Sequence, residues 1–125
     1  MKIPYQVFVQ HVPFGKPYRG KRPSDALAYD KEIAKMTSSW PKVTNACQLK
    51  VTFVLPANKF ADGKFLGPDI DNLMKRLLDN LKATVFGPPS DDSFVVSMEV
   101  TKTKVSSEVD AGVHIAIIPL DTVLK

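Results

Sequence analysis

The segment Pro68-Asp69-Ile70-Asp71-Asn72-Leu73-Met74-Lys75 sets two carboxylates two residues apart, with a lysine four residues beyond the second. A further acidic pair, Asp91-Asp92, follows the turn Gly87-Pro88-Pro89-Ser90 and immediately precedes the apolar run Phe94-Val95-Val96. Carboxylate oxygens gathered in one place suit a hard cation such as Mg²⁺. Acids crowded together without a cation or a lysine among them repel one another. A cation so held lowers the pKa of a bound water and polarises a phosphoryl oxygen, which is the chemistry of phosphodiester hydrolysis.

The element that must present the first group is a helix predicted from Asp71 to about Ala83. At about 100° per residue, Ile70, Leu73, Met74, Leu77, Leu78 and Leu81 fall on one side of it. Asp71, Lys75, Asp79 and Lys82 form a polar line beside that stripe. On spacing alone this is a solvated face with i,i+4 pairs, each worth ~0.2–0.5 kcal/mol. Two features argue for more. Asp69 and Asp71 both sit at the helix start, where free backbone N–H groups stabilise anions, and one cap accounts for one acid, not both. Asp91-Asp92, at a strand entrance, could fold back toward the same point. Asp79 lies roughly 12 Å along the axis from Asp71. It is expected to be structural, paired with Lys75, Arg76 or Lys82.

The rest of the chain reads as β-α-β-α-β-β. A first strand spans Tyr5 to Val12, and a helix with Ser24 as N-cap runs to about Ser39. That helix should turn Ala26, Leu27, Tyr29, Ile33 and Ala34 inward. A second strand covers Gln48 to Leu55. Two more, Ser93 to Val105 and Gly112 to Pro119, should form a hairpin through residues 106–111. The expected fold class is α+β: one mixed sheet with two helices packed against it, because each helix has a single apolar stripe to bury. At 125 residues the chain is predicted to be one domain, 1–125.

Composition narrows the function classes. The net charge of +4 is modestly basic, with Lys16, Arg19, Lys21 and Arg22 clustered around Tyr18 in a Gly- and Pro-containing loop. These four are the candidate DNA-backbone contacts, with Lys59, Lys64, Lys102 and Lys104 behind them. No stretch approaches the ~20 apolar residues of a membrane span. No secretory signal is evident, and the lone Cys47 cannot form an internal disulfide. A cytoplasmic location is therefore expected. His11 and His114 fall far apart on strands and read as packing or surface residues. Cys47, Trp40 and Phe53 read as core. Phe60 and Phe65 either cover the core or stack on bases.

Taken together, Asp69-Ile70-Asp71-Asn72-Leu73-Met74-Lys75, then Asp79-Asn80-Leu81, then Asp91-Asp92-Ser93 before an apolar strand, resemble the RusA family of Holliday junction resolvases. The detailed match covers about Pro68 to Val96, and length and element order agree with it. Asn80 departs from the family's usual small alanine, and the connection from Phe86 to Ser90 is longer. The resemblance implies a homodimeric, Mg²⁺-dependent endodeoxyribonuclease, with Mn²⁺ as a substitute metal. Such an enzyme nicks four-way DNA junctions symmetrically during recombination and repair, in a bacterial or phage-infected cell. It implies Asp69, Asp71 and Asp92 as metal-binding carboxylates, Asp91 as an alternative ligand, and Lys75 as an essential lysine. No membrane and no nucleotide cofactor are expected. Two other readings stay open on the sequence: a Mg²⁺ nuclease for other branched DNA, and a junction-binding protein without catalysis.

Overall fold

The sequence alternates strand and helix twice and then adds two strands, and the final strand decides the topology. A computed structural model describes residues 5–15, 20–21, 23–57, 69–86 and 92–120, with Asp92 described by its backbone alone. The elements are β1 (Tyr5–Val9), α1 (Ser24–Thr37), β2 (Cys47–Pro56), α2 (Ile70–Thr84), β3 (Val95–Val105) and β4 (Gly112–Pro119). They form a four-stranded sheet in the order β1-β4-β2-β3. β4 is antiparallel to both β1 and β2, while β2 and β3 are parallel. Hence β1, β2 and β3 all point one way, and β4 runs back between the first two. The α+β class, the element order and the mixed sheet are as the sequence predicts.

The expected β3–β4 hairpin does not form. β3 pairs with β2, and residues 106–111, which include a 3-10 turn at Glu108–Asp110, carry the chain across to the far side of β2. Side-chain chemistry explains the choice. β4 is apolar on both faces, with Val113, Ile115, Ala116 and Ile117 all buried, so it belongs between two strands. β3, rich in Thr, Lys and Glu and mostly exposed, tolerates the edge.

β2 alternates strictly and turns Cys47, Leu49, Val51, Phe53 and Leu55 to the helices. Against them lie Ala26, Tyr29, Ile33 and Thr37 of α1 and Leu73, Met74, Leu77 and Leu81 of α2. Leu27 and Ile70, both expected inside, are 40% and 39% exposed. Leu27 sits one step of ~100° off the Ala26–Ile33 stripe, and Ile70 precedes the first turn that the sheet covers. Pro23, not Ser24, occupies the N-cap of α1, and Ser24 is its first helical residue. Cys47 and Phe53 are buried as expected, and burial raises the Cys47 thiol above its ordinary pKa. Trp40 is half-buried, edge-on to Tyr5 with ring centroids 5.6 Å apart.

Asp30 on α1 meets Arg76 and Asn80 on α2, and Thr37 meets Thr84, so the helices run parallel to each other. The C-terminal end of α2 is tied to the approach to β2, through Val43 N–H to Val85 O at 3.1 Å and Lys42 Nζ to Thr84 O at 2.6 Å. Both helices therefore begin at the carboxyl end of the parallel strands. Among the described residues, no helix is long and apolar enough to cross a membrane.

Candidate active site

The carboxyl ends of parallel strands are where open sheets with crossover helices bind ligands. Here that end gathers the start of α2, the start of α1, and the segment leaving β1 through Phe14. Asp69 is the N-cap residue of α2, in extended conformation, and its side chain makes no capping hydrogen bond. Leu73 N–H is satisfied instead by the Asp69 backbone carbonyl at 3.1 Å. Asp71, in the first turn, accepts a hydrogen bond from its neighbour's backbone, Asn72 N–H, at 3.0 Å. Both residues are exposed. The Asp69 carboxylate is not consumed in closing the helix end and Asp71 uses one oxygen on a first-turn N–H, so both carboxylates stand exposed against the positive end of the helix dipole. Lys75, one turn beyond Asp71, is exposed as well.

Arg76 faces the other way and organises this end of the molecule. Its Nη1 lies 3.2 and 3.0 Å from the two carboxylate oxygens of Asp30. Its guanidinium carbon sits 5.1 Å from the centroid of the Phe14 ring. Asn80 Nδ2 donates to the same Asp30 carboxylate at 2.8 Å. The pair is well shielded, with side-chain exposures of 17% and 13%. The sequence offered Arg76 only as one possible partner of Asp79; the partner found, Asp30, is 46 residues away, which no local pattern reveals. Beside this network the Tyr29 hydroxyl is buried without a hydrogen-bond partner among the described residues. Burial pushes its phenol well above the ordinary pKa, with Asp30 adding to the rise and Arg76 opposing it.

Of the basic cluster, Lys21 is exposed, and Lys16, Arg19 and Arg22 lie outside the described residues. The anchors of that loop are described: Phe14, buried under Arg76, and Pro23 at the head of α1. The basic loop thus leaves and re-enters the fold at the same end as Asp69 and Asp71. Asp91, Lys59, Lys64, Phe60 and Phe65 also lie outside the described residues. Lys102 and Lys104 stand toward the carboxyl end of β3, opposite Phe53 and Leu55. His11 is half-buried with its ring 5.8 Å from that of Tyr29, and His114 Nε2 lies 3.2 Å from Gln6 Nε2. His11 thus belongs to the segment leaving β1 at this end of the sheet, and His114 lies on β4.

Asp92 is at the other end of the molecule. It opens the 3-10 turn Asp92–Phe94 that leads into β3, whose first residue, Val95, is paired with Cys47, the first of β2. The fifteen residues of α2 lie between the two ends, a span of about 22 Å. The expected fold-back toward the helix start does not occur within one chain for the Asp92 backbone, and Asp91 lies outside the described residues. Among the described residues, no three acidic, histidine or cysteine side chains lie close enough to hold a metal ion together. Asp69 and Asp71 match a hard cation in donor chemistry, while in number they fall short of a complete ligand set.

The chain matches the model of the family described as Endodeoxyribonuclease RusA over residues 14–118. That match covers most of its length, and the chain belongs to this family. Its activity class is accordingly that of an endodeoxyribonuclease. No individual curated protein matches it.

Proposed function

We propose that this protein is a Mg²⁺-dependent, structure-specific endonuclease that resolves four-way DNA junctions by paired nicks, acting as a homodimer in recombination and repair. The observation that carries the reading is the pair of exposed carboxylates, Asp69 and Asp71, at the start of α2 beside the anchors of the basic loop. Asp69, Asp71 and Asp92, with Asp91 as an alternative, are the residues that would hold the metal. A bound divalent cation would supply an activated water and neutralise charge at phosphorus. Lys75 projects from the same helix face as Asp71, where its ammonium can meet the scissile phosphate or offset the carboxylates. Asn72, half-buried next to Asp71, would orient a carboxylate or a water. Lys16, Arg19, Lys21 and Arg22 would neutralise backbone phosphates, which makes binding steeply salt-dependent.

Two symmetric nicks require two active sites. The separation of Asp92 from Asp69 and Asp71 in one chain adds a second reason for two copies, since Asp92 of one copy can approach the helix start of the other.

The test incubates the protein with a synthetic four-way junction or the matching linear duplex, in Mg²⁺ or chelator. Symmetric nicks in the junction alone, and only with metal, are expected. Asp71→Asn and Lys75→Ala should keep the melting temperature within a few degrees and lose nicking by about 100-fold or more. Undiminished nicking in either variant removes that residue from the chemistry.

A further inference from the structure

The basic loop is joined to the fold at Phe14 ahead of it and at Pro23, the head of α1, behind it. Arg76 grips both stems. Its guanidinium lies 5.1 Å from the Phe14 ring centroid, and its Nη1 bonds both oxygens of Asp30, about two turns into α1. Asn80, one turn further along α2, holds the same carboxylate at 2.8 Å. Arg76 also follows Lys75 directly and stands about 7–8 Å along the helix axis from Asp71. One side chain thus links the phosphate-binding loop to the helix start that carries the acids.

The helices do not need this clamp to stay together. Tyr29 and Ile33 of α1 and Leu73, Leu77 and Leu81 of α2 are fully buried in a single core. A shielded ion pair commonly gives no more stability than apolar residues of its size. What it adds here is direction, because a planar guanidinium with a carboxylate and a ring to satisfy accepts few orientations.

We propose that Arg76, with Asp30 and Phe14, is a positioning residue for strand cleavage: it fixes the basic loop relative to Asp69 and Asp71, so that DNA held by the loop is presented to the carboxylates. This rests on the nuclease reading above and extends it to the placement of the substrate. The two tasks differ in their tolerance of error. Attraction between lysines or arginines and phosphates falls off slowly with distance. A misplacement of ~1 Å at the reacting atoms costs on the order of 100-fold in rate. Loosening the clamp therefore spares affinity and slows cleavage.

Phe14→Leu keeps the position apolar and removes the ring, and Asp30→Asn keeps the shape and removes the charge. Assayed well below their melting transitions, both should bind a four-way junction within about threefold of the native Kd and nick it about 10-fold or more slowly in single turnovers with Mg²⁺. Phe14→Tyr, which retains the ring, should return the rate to within about threefold of native. A clamp that serves stability alone would lower both melting transitions and leave the rate per bound complex unchanged, and that result overturns the proposal. A second measurement needs no cleavage. Spin labels at Lys21→Cys and Asp79→Cys, both exposed positions, report the distance from loop to α2, and the native Cys47 is buried away from the reagent. The native distance distribution should be narrow, and Phe14→Leu and Asp30→Asn should each broaden it; unchanged widths also overturn the proposal. Widths that respond in a protein that cuts no junction leave the loop placement standing and overturn the nuclease reading instead.

Discussion

Arg76 joins three parts of the chain through one planar group: its own helix, Asp30 of α1, and the Phe14 ring below the basic loop. Removing one member of a shielded pair leaves the other desolvated. Arg76→Met keeps much of the stem and deletes the charge, and it should lower unfolding free energy by about 2–3 kcal/mol in urea titration. The fork geometry matters too, so Arg76→Lys should recover under half of that loss. Tyr29, next to Asp30, poses the opposite case. Its hydroxyl is buried and unbonded among the described residues, so Tyr29→Phe should be neutral or stabilising by up to ~1 kcal/mol. The folded phenol ionises above its ordinary range while the unfolded one ionises near pH ~10. Its contribution is therefore present below pH ~10 and lost as pH rises further, because the unfolded state then releases its proton first. The native protein should lose more stability than Tyr29→Phe between pH ~9.5 and ~11, and equal losses would contradict the buried phenol.

At the scale of elements, β4 is the keystone strand, and Gly112 marks where it meets β1. A Cβ on Gly112 would collide with the Val9 carbonyl oxygen and the Phe8 ring. Backbone cannot yield as a flexible side chain can, so Gly112→Ala should cost about 2 kcal/mol or more, read as a lowered denaturation midpoint at unchanged slope. Element type was legible throughout: β2 and α2 announced themselves by periods of two and 3.6 and β4 by its apolar run, and β4 and the body of α2 lie where the pattern puts them. Partnership was not. Residues 106–111 are short enough for a hairpin, and nothing local says that β4 prefers the gap between β1 and β2. Burial decided it, because a strand apolar on both faces, left at the edge, would expose a face that two neighbours cover. The inward faces of Leu27 and Ile70 were misread for a related reason. Periodicity places residues around a helix but does not say where the sheet beneath it stops.

At the scale of the molecule, the sheet has two ends, and they hold different chemistry. The carboxyl end gathers Asp69, Asp71, Lys75 and the anchors of the basic loop, and the amino end holds Asp92. By itself the sequence determined the α+β class, the acidic helix start, and the family pattern, because these depend on residue type and on spacing within about thirty residues. Tertiary structure alone decided that Asp69 does not spend its side chain on capping, that Arg76 belongs to Asp30, and that the Asp92 backbone stands some 22 Å along α2 from the other acids. The physical reason is the parallel crossover. A helix that carries the chain from the end of one strand to the start of the next must separate its two flanks by its own length, however close they stand in sequence.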